Sequence, residues 1–172
     1  MRKIWSFFKD TLLNFFLNLT SWMPDNPIVC RFRGLIVRLF IKSGGKRLEV
    51  GARIKVLHCD GIEIGSDVYI AGGCWISGRG GLKIENEVIF GPYVIVVTSN
   101  HTFVNGSARF GKATYAPTKI GSGSWLASHV VVAAGVEIGK GNLVAANAVV
   151  TKSTPDNVTV GGIPGKIIGE VK

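Results

Sequence analysis

The sequence predicts a mainly β chain: a coil of short parallel strands stacked on itself, preceded by a helical segment and interrupted by one extended loop. Three observations predict it. Branched aliphatics recur at every sixth residue in Ile120, Leu126, Val132, Ile138, Val144 and Val150. The next residue is small in five of the six cases, Gly121, Ala127, Ala133, Gly139 and Ala145, with Thr151 the sixth. The chain carries 23 Gly in 172 residues without a collagen period, which suits many tight corners. Neither an α-helix nor an ordinary strand repeats every six residues. Each unit therefore reads as one short strand and one corner, with the aliphatic pointing inward and the coils about 4.8 Å apart.

The chain starts with two helical stretches. Over residues 3–23, Ile4, Trp5, Phe8, Leu12, Phe15, Phe16 and Leu19 share one half of a helical wheel. Lys3, Ser6, Lys9, Asp10, Asn14, Asn18 and Ser21 share the other, with Phe7, Leu13 and Leu17 straying onto it. Pro24 and Pro27 punctuate the end, and a mostly apolar helix follows over about 28–42. Net charge is +9 and is concentrated here. Residues 1–55 hold 11 Lys and Arg against 3 Asp and Glu, a balance of +8, whereas residues 56–172 hold 9 against 8. Two readings of this segment coexist. The helices cap the open end of the coil, or, basic and aromatic, they lie on an anionic membrane surface. A nucleic-acid partner is disfavoured, because the cations alternate with large aliphatics and no recognisable nucleic-acid module is present.

From Val50 the hexads run Val50, Val56, Ile62, slip by two residues to Ile64, Ile70, Ile76, Leu82, and slip again to Ile84, Phe90, Val96. A second apolar or small position lies four residues after the first, as in Val68, Cys74, Val88, Val94, Val130 and Val136. Slips of two are what longer corners produce. With three faces to a coil the hexads predict about four and a half coils, a stack about 22 Å tall. The pattern stops over 99–118, SNHTFVNGSARFGKATYAPT, and resumes in phase. A loop of this length within a regular array marks a functional insertion. The predicted division is a helical segment at 1–47 and the coil at 48–172. Cys30, Cys59 and Cys74 have neither CxxC nor metal-ligand spacing and read as free thiols in a reducing compartment. The N-terminus lacks a good secretory signal, and no apolar stretch reaches 18 residues.

Residues 120–166 resemble the hexapeptide-repeat acyltransferases. The segments Gly121-Ser-Gly-Ser-Trp125-Leu-Ala-Ser128-His129, Ala145-Ala146-Asn-Ala-Val-Val-Thr151-Lys152 and Gly161-Gly-Ile-Pro164-Gly-Lys166 are similar to the galactoside/maltose acetyltransferase branch, as is a loop headed by Asn100-His101-Thr-Phe. The segment from Pro27 through Arg31-Phe-Arg33-Gly34-Leu35 resembles the branch that acetylates bacterial surface polysaccharides. The resemblance implies a left-handed parallel β-helix, a handedness that local physics would not have chosen. It implies acetyl-CoA as acyl donor with no metal, and a homotrimer with its sites between subunits. By the same resemblance His101 is the general base and Ser128 lies near the thioester. Ala127 and Ala146 line the pantetheine channel, while Thr151, Lys152 and Lys166 meet the nucleotide end of CoA. Trp125 matches a residue at the subunit seam, with core packing an equal alternative.

The chemistry fits these roles. Acyl transfer to a hydroxyl needs a base, oxyanion donors and a slot for the donor's arm. Imidazole is the side chain whose unperturbed pKa lies nearest neutrality. His129, mid-hexad, reads as structural or an edge contact, and His58 as incidental. Where the galactoside branch has an acceptor-binding Asn, this chain has Gly73-Cys74, so acceptor recognition does not carry over; Asn100 and Arg109 of the loop are the substrate-binding candidates.

The sequence thus points to an acetyl-CoA-dependent O-acetyltransferase acting on a sugar hydroxyl of a surface glycan or its lipid-linked precursor. It would work in the cytoplasm at the inner membrane face. N-acetylation of an amino sugar nucleotide is the alternative within enzymes, mildly disfavoured because 99–118 holds no Asp or Glu to bind an ammonium. O-acetylation of a small acceptor stands beside it. A non-catalytic β-helix scaffold is the alternative outside enzymes. Metal-dependent hydration would need three converging histidines, and the three present stand in unrelated positions.

Overall fold

The inward positions named by the hexads are all buried, from Val50 to Val150. The computed structural model describes residues 2–171. The helices α1 (Arg2–Leu19) and α2 (Pro27–Phe40) precede the coil. The first coil is β1 (Ser43–Gly44), β2 (Glu49–Val50) and β3 (Lys55–Leu57), and the second β4 (Ile62–Ile64), β5 (Tyr69–Ile70) and β6 (Trp75–Ser77). The third is β7 (Leu82–Ile84), β8 (Ile89–Phe90) and β9 (Ile95–Val96). After it a hairpin, β10 (Ser99–His101) and β11 (Ala113–Tyr115), projects from the array. The fourth coil is β12 (Thr118–Ile120), β13 (Trp125–Leu126) and β14 (Val131–Val132), and the fifth β15 (Glu137–Ile138), β16 (Leu143–Val144) and β17 (Val149–Val150). A last parallel strand, β18 (Val158–Gly161), is covered by an antiparallel strand, β19 (Lys166–Glu170).

Corresponding strands pair in parallel and make three faces. Face A holds β1, β4, β7, β12 and β15; face B holds β2, β5, β8, β13, β16 and β18; face C holds β3, β6, β9, β14 and β17. The array is five coils and a strand, more than the four and a half expected. The surplus is β1, which carries no aliphatic, and β18, which follows the irregular stretch 151–157. The first strand also lies upstream of residue 48.

The corners explain the slips. Corners from B to C place Arg53, Gly73, Tyr93, His129 and Asn147 in the left-handed region, one above another. Corners from A to B do the same with Arg47, Asp67, Glu87, Gly123, Gly141 and Asn157. The two extra residues per slip fall at the third corner, from C to A, between Val56 and Ile62 and between Ile76 and Leu82. The 99–118 insertion enters at this same corner one coil later, and Thr118 already belongs to β12.

The helices close the open end of the first coil, and α1 does so with the unexpected side. Leu13 and Leu17, which stray onto the polar half of the wheel, are buried together with Asn14. The other half faces out: Trp5, Phe8, Leu12, Phe15 and Leu19 are exposed. The cause is the surface being covered. A coil end presents unpaired backbone groups, which an apolar helix face cannot satisfy. The Asn14 amide donates to the Val56 carbonyl (2.6 Å) and its oxygen accepts from the Val56 N–H (3.2 Å). Asp10 accepts from the N–H groups of His58 (2.7 Å) and Cys59 (2.9 Å).

In α2 the inward side is Val29, Cys30, Arg33, Gly34 and Val37. Gly34 is needed for contact, because a Cβ there would collide with the Leu48 carbonyl. Arg33, only 1% exposed, donates to Asp25 (2.6 Å) and to the carbonyls of Thr20 (2.9 Å) and Met23 (2.8 Å). Asp25 in turn accepts from the Ala52 N–H at 3.0 Å. One of the eleven cations in the first third is therefore a buried clamp between the helix connection and the coil.

Candidate active site

The coil's outer faces differ in character. Along face A the outward side chains are Glu63, Lys83, Lys119 and Glu137, tied by Lys42–Glu63 (2.6 Å) and Lys119–Glu137 (2.7 Å). The Lys42 ammonium holds the Glu63 carboxyl below the usual carboxylate range. Faces B and C are mainly apolar outside, with Glu49 and Thr159 at the two ends of B and Lys55 at the start of C. Tyr69, Ile89, Trp125 and Leu143 form a column on B, and Trp75, Ile95, Val131 and Val149 form one on C. Trp125 is half exposed in its column, so core packing is excluded as its role within the chain.

The corner between those two apolar faces carries small residues. Ala127, Ala145 and Gly161 stack in register, as do Ser128, Ala146 and Gly162. Smallness is imposed by close approach: a Cβ on Gly91, one coil below, would stand 2.8 Å from the Ser128 nitrogen. The N–H groups of Ala127 and His129 donate within the coil, to Val144 (2.9 Å) and Pro92 (2.9 Å). Between them the Ser128 N–H donates to no backbone carbonyl among the described residues, and Ser128 is partly exposed. His129 sits in the left-handed ladder with its ring stacked on Tyr93, centroids 5.1 Å apart. That is the edge contact its position suggested.

The hairpin leaves from the opposite edge of face C. Its root is clamped by two buried threonines. Thr98 Oγ1 donates to the Ser77 carbonyl (3.0 Å) and accepts from the Gly80 N–H (2.8 Å). Thr118 Oγ1 donates to the Val97 carbonyl (3.2 Å) and accepts from the Gly135 N–H (3.2 Å). The Arg79 guanidinium lies 4.7 Å from the Tyr115 ring centroid and braces the second strand. Asn100 and His101 are in β10, opposite Thr114 and Ala113, and both are exposed; Arg109 is exposed near the tip. Thr98, Arg79 and Tyr115 were missed by sequence reasoning. Thr98 and Thr118 could have been found, since they hold inward positions bordering the gap in the hexads.

The expected residues thus fall into two groups. Ala127, Ser128 and Ala146 share the B-to-C corner, with Trp125 on the strand leading into it and Lys166 at the start of β19, opposite Gly161. Asn100, His101 and Arg109 extend from the C-to-A corner, where Thr151 and Lys152 lie exposed two coils further on. One face, about 15 Å of chain, separates the two groups. A groove of about 670 Å³ runs along the A side of the hairpin root past Gly61, Gly81, Pro117, Thr118, Gly135 and Ser153. None of the ten expected residues lines it. The three cysteines are buried, and burial pushes the thiols up, Cys59 to about 12 and Cys74 to about 11, so none is poised as a nucleophile.

Comparison with known proteins matches the repeat and the fold. A family model described as bacterial transferase hexapeptide (six repeats) matches residues 117–152, which span β12 to β17. Galactoside O-acetyltransferase of Escherichia coli K12 is 27% identical over 147 residues, 86% of this chain and 72% of the relative. Over residues 117–152 the chain carries the repeat that defines the hexapeptide-repeat transferases. The putative colanic acid biosynthesis acetyltransferase WcaF of the same strain is 29% identical over 150 residues, 87% of this chain and 80% of that one. A hexapeptide-repeat acetyltransferase of Vibrio cholerae, solved with acetyl coenzyme A, superposes with a TM-score of 0.82 at 23% identity, over 95% of this chain and 86% of the other. The shared architecture is the left-handed parallel β-helix, so the chain has the handedness that its sequence motifs implied.

Proposed function

We propose that this hexapeptide-repeat chain moves an acetyl group from acetyl-CoA to a sugar hydroxyl of a bacterial surface glycan, or of its lipid-linked precursor at the inner membrane face. The observation that carries the reading is an exposed histidine on a braced hairpin, on a chain that also carries a small-residue corner where the partly exposed Ser128 has an N–H that donates to no backbone carbonyl among the described residues. His101 takes the hydroxyl proton, and the oxygen attacks the thioester carbonyl. The Ser128 N–H is the donor for the oxyanion. When the carbon–sulfur bond breaks, the thiolate recovers the proton from the imidazolium, so acetyl ester and free thiol are the products. Ala127 and Ala146 keep the backbone within reach of the donor's arm. Lys152 and Lys166 supply cations for its phosphates, with Thr151 beside Lys152. Asn100 and Arg109 hold the sugar.

A single chain cannot perform this sequence, since face C separates His101 from Ser128. A homotrimer resolves it, with the hairpin of one copy reaching the Ser128 corner of the next. The apolar columns on faces B and C, centred on Trp75 and Trp125, support such packing, whereas the charged ladder of face A suits solvent. The names of the relatives support acetyl transfer and a sugar acceptor.

Thiol release from acetyl-CoA against a panel of sugars, sugar nucleotides and lipid-linked glycans tests the reading. His101→Ala is expected to lose about 10²- to 10⁴-fold in rate with an unchanged melting temperature. Near-full rate in that variant would sink the mechanism.

A further inference from the structure

We propose that the outward face of the helical base is a docking surface for an anionic phospholipid bilayer, seating the chain with its coil rising away from the lipid. The outward stripe of α1 meets the end of α2 in a groove of about 470 Å³ lined by Trp5, Phe8, Leu12, Phe15, Leu39 and Phe40. On α2 the stripe continues through Leu35, Phe32 and Ile28, with Ile28 and Leu39 each 81% exposed. A contiguous apolar surface of this size on a folded chain marks an interaction site.

The occupant follows from charge and shape. The one carboxylate of α1, Asp10, is turned inward onto His58 and Cys59, and α2 contains none, so the outward face bears no acid. Lys9, Arg31 and Arg38 border it, Arg31 also reaching Glu49 at 2.9 Å. A second copy of the same face would bring cations against cations, whereas anionic headgroups complement them. Trp5 and Trp22 stand near the two ends of α1, 67% and 81% exposed, where amphipathic rings favour the headgroup level. No helix among the described residues is long and apolar enough to cross a membrane, so the helices lie flat.

Docking fixes the height of the chemistry, a consequence that rests on the proposed role of His101. The helix layer adds about 10 Å and the third coil stands two steps of about 4.8 Å above the first. His101 therefore works about 20 Å above the lipid. That height suits a sugar carried several units out on a lipid anchor.

Flotation of the full-length chain with vesicles of phosphatidylcholine and phosphatidylglycerol (3:1), and with pure phosphatidylcholine, tests the proposal. Wild type is expected to float with the anionic vesicles, and the triple variant Phe8→Ser/Leu12→Ser/Phe15→Ser to bind at least ten-fold less. Melting temperature and thiol release with a soluble acceptor should be unchanged in that variant. Flotation without any acetyl transfer would uphold docking and remove the catalytic reading alone. Equal flotation of variant and wild type overturns the proposal, as does wild type that stays unbound. A wild-type mass twice that of the variant in sedimentation, with no flotation, would assign the face to a second copy and overturn it too.

Discussion

The coil and its helical base place the same kinds of side chain in opposite directions. In the coil, Phe90, Val94 and Val96 point inward and the charged groups, such as Lys83 and Glu137, lie on the outside. In α1, Asn14 and Asp10 point inward while Trp5, Phe8 and Leu12 face out. One rule produces both arrangements. Within the coil the strand backbone is paired with neighbouring coils, and buried side chains such as Thr98, Thr118, Ser124 and Asn142 serve backbone groups at the corners, so the inward strand positions offer mainly apolar contact. At the coil's end the backbone of β3 has no further strand to pair with, and α1 must present hydrogen-bonding side chains to it. Amphipathicity tells which two halves a helix has; the surface opposite decides which half is buried.

The largest expected effect lies within the coil. Phe90, fully buried on face B beneath Leu126, has no room for water in its place. Phe90→Ala is expected to cost about 3–5 kcal/mol in chemical denaturation at fixed protein concentration. A cost below about 1 kcal/mol would mean that the coil interior is not the close-packed half of the comparison.

The next effect tests the inverted helix. Asn14 supplies both partners of Val56, and its amide also reaches the Asp10 carbonyl at 2.7 Å. Hydropathy alone predicts that Asn14→Leu, at a position only 7% exposed, should stabilise the chain. Orphaning the N–H and carbonyl of Val56 predicts a loss of about 2–3 kcal/mol instead. The sign of the change in unfolding free energy decides between the two rules, and a stabilised variant would refute the edge-sealing account.

What the sequence made legible follows the same division. The inward positions of the coil could be named to the residue, because a period of six leaves no other side for Ile120, Leu126 and Val132 to face. The place of the loop was equally visible as a gap between Val96 and Ile120. The orientation of α1 was not visible, since the wheel carries no information about the unpaired backbone of β3 that it meets. Leu13 and Leu17 looked like strays for that reason. The hairpin form of the loop was also hidden, because its strands contribute nothing to the core and its root rests on Thr98 and Thr118. The separation of His101 from Ser128 stood in between. Counting faces along the hexads puts His101 after a C strand and Ser128 after a B strand, so the register held the answer.

The smallest expected effect sharpens the comparison from the other side. Leu12 and Leu13 are neighbours in α1, yet Leu12 is 48% exposed and Leu13 is fully buried. A serine at position 12 loses no internal contact of the coil and gives up only a slight helix preference. Leu12→Ser is therefore expected to change unfolding free energy by no more than about 0.5 kcal/mol, the range of an ordinary surface substitution. Thermal melting in detergent-free buffer checks it. A loss of more than about 2 kcal/mol would show that Leu12 is covered in the assembled protein. The outward stripe of α1 would then be an interface already occupied by another copy of the chain, not a surface held open for lipid.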